Sequence, residues 1–118
     1  MAKKHALRPH LRKVAAGDAS DILFYPEEGY VRSKQRYHIT LLSFEDEGSD
    51  CTEVQILAGP SGLQRRIAEQ IAPVAGRTYW WTEEIVLVES EQLQLYFSGA
   101  TASDVLNLWL QGYWVEVE

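Results

Sequence analysis

The chain has 118 residues, 46% of them hydrophobic, a single cysteine and a formal net charge of −6. That length supports one domain burying roughly two thirds of its unfolded surface without a staple; Cys51 alone excludes an intramolecular disulfide, and the apolar runs are too short for a membrane-spanning helix. The charge is divided, with eight Lys and Arg against four acidic residues in residues 1–36 and three against thirteen in residues 37–118, so that about +4 is followed by about −10.

Residues 1–8, with Lys3, Lys4, His5 and Arg8 and little to bury, read as a flexible basic arm, and residues 9–118 as a single domain. The first ten residues are basic with no apolar run behind them, so no signal peptide is expected and the cytoplasm is the expected address. Pro9 suits the first position of a short helix and Gly17 its end, with Leu11, Val14 and Ala15 inward and Arg12 and Lys13 outward. Residues 18–21 are turn-rich. Residues 22–25 and 30–32 then read as a hairpin around Pro26, Glu27, Glu28 and Gly29.

The clearest strand is residues 37–44, where alternation places Tyr37, Ile39 and Leu41 on one face and His38, Thr40, Leu42 and Phe44 on the other. An acidic loop, residues 45–50, leads to a second hairpin strand in which Val54, Ile56 and Ala58 alternate. The turn Gly59, Pro60, Ser61, Gly62 opens a helix with Leu63, Ile67, Ile71 and Val74 inward, ending near Pro73. Residues 78–81 and 84–88 supply strand residues, and Leu93, Leu95 and Phe97 alternate to complete another antiparallel pair. Thr101 suits a helix N-cap and Asp104 the exposed N–H groups behind it, so residues 105–110 read as the last helix before Gly112. Residues 113–118 alternate as a final edge strand. The expected fold is α+β, a two-layer sandwich of a mainly antiparallel sheet with helices packed on one face.

Chemistry is signalled at one place. His38 and Thr40 lie two apart on a strand, where an imidazole moves a proton and a hydroxyl holds a phosphate oxygen. This resembles one of the two His-x-Thr elements of the 2H phosphoesterase family, which opens cyclic phosphodiesters; residues 85–93 are loosely similar to a strand near that family's end. The resemblance covers at most half a fold and implies a phosphate-ligand binder or phosphoesterase-like enzyme centred on His38 and Thr40. The second element is lacking, since His5 is followed two residues on by Leu7 and His10 by Arg12. A weaker anion site is expected at Ser61, Gly62, Arg65 and Arg66, where free N–H groups of a helix start meet two guanidinium groups. The scattered histidines and Cys51 lack ligand spacing and the acidic loop lacks a closing glutamate, so neither metal nor cofactor is expected.

The leading expectation is a non-catalytic interaction or assembly module that contacts another protein or another copy of itself. Lys3, Lys4, Arg8, Arg12 and Lys13 would supply charge, and Trp80, Trp81, Trp109 and Trp114 buried contact, because interface anchors are enriched in Trp and Arg. A nucleic-acid accessory role would use the same basic residues, but the acidic remainder repels that polymer. Membrane insertion is not expected.

Overall fold

The computed structural model describes residues 3–17, 21–27 and 29–117. Residues 18–20 of the expected first turn, Glu28 of the second, Met1 and Ala2 of the expected arm and the terminal Glu118 lie outside the described residues. In chain order the strands are β1 (His5–Leu7), β2 (His10–Val14), β3 (Ile22–Tyr25), β4 (Gln35–Asp46), β5 (Glu53–Pro60), β6 (Arg65–Ile71), β7 (Tyr79–Trp81), β8 (Ile85–Leu87), β9 (Glu91–Ser98) and β10 (Val105–Glu116). No helix occurs among the described residues, so none there is long and apolar enough to cross a membrane.

Two antiparallel sheets form. In one, β10 and β4 are the central pair; β1 and β2 share the open side of β10, and β7 and β8 the open side of β4. The other runs β3, β9, β5, β6. With β1/β2 and β7/β8 each counted as one interrupted strand, two four-stranded sheets remain whose order is that of a jelly roll. Between them lie Leu23, Leu42, Phe44, Val54, Ile56, Leu93, Leu95, Phe97, Leu106 and Leu108, all buried. Alternation puts these residues on the inner faces, and burial of so many aliphatic and aromatic side chains is the main force joining the sheets.

The α+β expectation is therefore corrected to all-β, and each expected helix has a physical reason to be a strand. Around Pro9 the chain finds β10: Leu110 N–H donates to the Pro9 carbonyl at 3.1 Å and Leu11 lies opposite Leu108 in the core. Residues 65–71, rich in helix formers, pair with the open side of β5 instead, because ladder bonds and packing outweigh intrinsic propensity. Leu63, Ile67 and Ile71, which a helix would have buried, stay 70%, 41% and 59% exposed. At the third site Thr101 and Asp104 close a turn, and Leu106, Leu108 and Leu110 alternate through one strand that continues to Glu116.

The expected hairpins change as well. Residues 30–32 form no strand; Val31 N–H bonds to the Glu91 carbonyl and Ser90 N–H to the Val31 carbonyl, both at 2.9 Å. β4 and β5 lie in opposite sheets, as do β8 and β9, so their links cross the sandwich. Within β4 the alternation reverses at one point. Gln111 faces Leu41 but Gly112 faces Ile39, which leaves Thr40 as an extra residue in a bulge. Consequently Tyr37 and Ile39 turn to the core above the bulge and Leu42 and Phe44 below it, while Leu41 turns outward. Gly112 is required there, since a Cβ would overlap the His38 carbonyl oxygen.

Candidate functional site

Residues facing each other across an antiparallel ladder share a side of the sheet. On the outer side of the β10 sheet, Trp80, Ser43, Trp109 and His10 form a row across β7, β4, β10 and β2. Trp80 is 63% exposed, Trp109 half-buried, and Ser43 buried between their strands. The His10 ring stacks on Trp109 with centroids 4.8 Å apart, and its Nε2 lies 2.8 Å from Asn107 Oδ1. Asn107 in turn donates to Glu47 Oε2 at 2.7 Å.

Above the bulge His38 stacks on Tyr113 at 4.7 Å, and Lys4 Nζ sits 4.4 Å from the centre of the same ring. Arg36 Nε donates to His38 Nε2 at 2.8 Å, so the other ring nitrogen, Nδ1, is the one that meets Glu84. Both nitrogens are thereby engaged, and the Thr40 hydroxyl donates to the Gln111 carbonyl at 3.0 Å. His38 and Thr40 do share the outer side, as the sequence suggests, but with their polar atoms occupied. The other histidines do not converge on them. His10 stands beside Trp109, four residues and roughly 13 Å along β10 from Tyr113. His5 stacks on Trp114 on the opposite side of the sheet, at 3.9 Å.

The four expected tryptophan anchors separate into two pairs. Trp80 and Trp109 face outward, whereas Trp81 lies opposite Leu42 and Trp114 opposite Tyr37, both on the core side. Trp81 Nε1 is buried without a hydrogen-bond partner among the described residues. The basic residues Lys3, Lys4, Arg8, Arg12 and Lys13 gather along β1 and β2, at one margin of the β10 sheet. Arg12 and Lys13 line a cleft of about 270 Å³ between β2 and β3, with Leu11, Phe24 and Glu27. Lys3, Lys4, Arg8 and Arg12 form no ion pair with an acidic group among the described residues. At the opposite margin Glu83, Glu84 and Glu89 are exposed around β7 and β8. Glu91 follows them, its carboxylate accepting Val88 N–H at 2.8 Å. Arg65 and Arg66 approach this margin from β6, where Arg66 pairs with Glu69 at 3.1 Å.

Ser61 and Gly62 occupy an exposed hairpin turn between β5 and β6, with Leu63 N–H on the Pro60 carbonyl at 2.9 Å. The helix start on which the anion site rested is absent, because the chain enters β6.

One constellation has no signature in the sequence. Asp46 and Asp104, 58 positions apart, are both buried at the end of the sandwich below the bulge. Asp46 accepts N–H bonds from Gly48 and Ser49 at 3.0 and 3.3 Å, and Cys51 Sγ lies 3.5 Å from its other oxygen. Asp104 accepts from the Ser49 hydroxyl and from Thr101 N–H. Burial raises the Asp46 pKa, against the two backbone bonds and together with Asp104. At Asp104 burial acts upward, but the bonds from Ser49, Asp46 and Thr101 outweigh it and hold the group below its ordinary value. Burial, the Asp46 charge and the bond to Asp46 push the Cys51 thiol up to about 12, so it is a protonated, unreactive group. Among the described residues no three potential ligands gather to hold a metal ion.

No protein-family model and no curated protein matches the chain. Solved structures do. One is the NLP core of Drosophila, described in terms of pentamer formation and histone binding, at a TM-score of 0.53 and 15% identity over 97% of this chain and 100% of that one. Another is a Bacteroides thetaiotaomicron protein described as an α-L-fucosidase, at 0.52 and 12%; the match covers 85% of this chain but only 21% of that one. A third belongs to Bacillus endospore appendages, described as disulfide-linked pili, at 0.50 and 9% over 98% and 92% of the two chains. At such identities these likenesses speak to architecture, and with the strand order they place the chain among two-sheet, all-β sandwiches.

Proposed function

We propose that this chain is a non-catalytic assembly module that associates with further copies of itself through charged surfaces. The observation that carries this reading is the state of the basic residues. Lys3, Lys4, Arg8 and Arg12 lie at a sheet margin without an acidic partner among the described residues, in a chain whose other part is strongly acidic. A second copy offers that acidic surface at matched concentration. Support of a coarser kind comes from the similar folds, two of which are described as a pentamer-forming core and as pili. The enzyme reading is disfavoured because His38 and Thr40 have their polar atoms engaged. Nucleic acid is disfavoured because the acidic body would repel it.

Light scattering after size exclusion tests this. A mass of at least twice 13.4 kDa is expected at low salt, falling as salt screens the charges. Exchanging Lys3, Lys4, Arg8, Arg12 and Lys13 for Ser should give a monomer at low salt. A wild-type chain that is monomeric at every salt and concentration overturns the proposal.

A further inference from the structure

The outer row of the β10 sheet holds a hydroxyl that the chain itself does not use. Ser43 is 4% exposed, yet its side chain makes no hydrogen bond among the described residues and is not sealed from water. A group so deep meets little solvent, and a ligand's polar atom placed on it would restore the missing bond. Indoles stand on the strands at either side, Trp80 on β7 and Trp109 on β10, roughly 10 Å or two strand spacings apart. The Trp109 ring lies at 10° to the ring of His10 on the next strand, so its faces are directed across the strands. His10 covers one face, and the other looks over Ser43 towards β7. This indole is held in place, because Asn107, 3% exposed and bonded to Glu47, fixes the imidazole through its Oδ1. A ring fixed beforehand loses little freedom when a ligand stacks on it.

We propose that this row binds an uncharged saccharide, one pyranose ring lying over Ser43 against the free face of Trp109 and the sugar chain reaching Trp80. The inference stands apart from self-association. A pyranose presents C–H groups on its faces and hydroxyl groups around its edge. The C–H faces suit the electron-rich faces of the indoles. The edge suits the Ser43 hydroxyl and the exposed Gln111 amide, two residues along β10 from Trp109 on the same side. Charge argues against an anionic ligand. The flanking Arg12 and Glu45 both lie opposite Asn107 and are of opposite sign, so the row lacks the cluster of cations that a phosphate or sulfate requires. A protein partner anchored by tryptophan calls for a continuous apolar centre with a polar rim. Here Ser43 separates the two indoles, and beside Leu41 the bordering side chains Glu45, Asn107 and Gln111 are polar.

The test titrates the full chain with cellohexaose, xylohexaose, mannohexaose and maltohexaose, followed by calorimetry and tryptophan fluorescence at low and high salt, with heparin as the anionic control. At least one neutral sugar is expected to bind with an affinity that salt leaves unchanged. Trp109→Ala and Trp80→Ala should each weaken that binding about ten-fold through loss of a stacking face. Ser43→Ala should weaken it a few-fold, and Leu63→Ala, on the distant β5–β6 turn, should not change it. Thermal unfolding confirms that each variant is folded; Trp80, being exposed, keeps the test decisive if Trp109→Ala does not fold. Failure of all four sugars to bind overturns the proposal, as does binding that survives both Trp80→Ala and Ser43→Ala. Binding of heparin alone, lost at high salt, also overturns it and points to the basic margin. If Trp80→Ala instead turns a wild-type assembly into monomers and no sugar binds, the row is an interface between copies and the saccharide site is wrong.

Discussion

The two halves of the β4–β10 ladder are built differently on either side of the bulge at Thr40. Below it, Leu42, Phe44, Leu106, Leu108 and Leu110 face the core at 5% exposure or less, and the end is closed by the buried Asp46–Asp104 pair. Above it, Ile39 is buried, but Tyr37 and Trp114 are half-buried and the outer side carries Arg36, His38 and Tyr113. Ionisable side chains occur in both halves with different consequences. In the closed half two buried acids accept bonds from the loops around them and hold those loops together. In the open half the groups that look reactive in sequence are held by neighbours on the outer side of the sheet, His38 by Arg36 and Glu84 and Thr40 by the Gln111 carbonyl, where polar contacts near solvent contribute little.

The sharpest way to break this contrast is at its boundary. Gly112→Ala sets a methyl group into the His38 carbonyl, so the two halves could no longer keep their offset. A loss of about 3 kcal/mol is expected in urea unfolding followed by tryptophan fluorescence. An unchanged midpoint would mean that the bulge relaxes freely.

An intermediate effect is expected at the closed end, and its sign depends on the residue. Asp46, with its folded pKa raised, contributes stability that is complete below the unfolded value and is lost as pH rises through the folded one. Asp104, with its folded pKa lowered, contributes stability that is complete above the unfolded value and is lost as pH falls through the folded one. Asp46→Asn, which keeps a donor towards Asp104, should therefore flatten the decline that accompanies rising pH. Asp104→Asn should remove the decline on the acid side and lower stability at neutral pH. Parallel pH profiles for all three proteins would show that folding shifts neither carboxyl group.

The smallest effect belongs to the open half. His38→Ala removes a stacked ring and a hydrogen bond to an exposed carboxylate, and about 1 kcal/mol is expected in the same unfolding experiment. A loss comparable with that of Gly112→Ala would make the two halves alike after all.

Much of the sheet content was legible where alternation was regular: Val54, Ile56 and Ala58 in β5, and Leu93, Leu95 and Phe97 in β9, face the core as their period of two requires. The errors have specific origins. β6 combines Arg, Ala, Glu and Gln with apolar residues four apart, a helix pattern that is overridden because β5 has an open side to fill. In β10 the period of two through Leu106, Leu108 and Leu110 was present but hidden by a cap-like Thr101 and a stop-like Gly112, whose actual roles are a turn and the partner of a bulge. One added residue in β4 reversed the faces assigned to Leu41 and Leu42, which no local pattern announces. At the candidate site, the gathering of basic residues follows directly from their sequence neighbourhood. The pairing of Asp46 with Asp104, and the separation of Trp80 and Trp109 from Trp81 and Trp114, depend on strand order and were invisible beforehand.

The position of β10 has a consequence for synthesis. It joins β1 and β2 to β4, yet it is the last strand of the sheet in chain order, and His10 waits 97 positions for Asn107. As the chain leaves the ribosome, the three-residue and five-residue strands near its start have no ladder partner, and one side of β4 stands open, until the residues from 105 onward emerge. The arrival of β10 therefore completes three pairings at once, and this sheet closes only in the last step of synthesis.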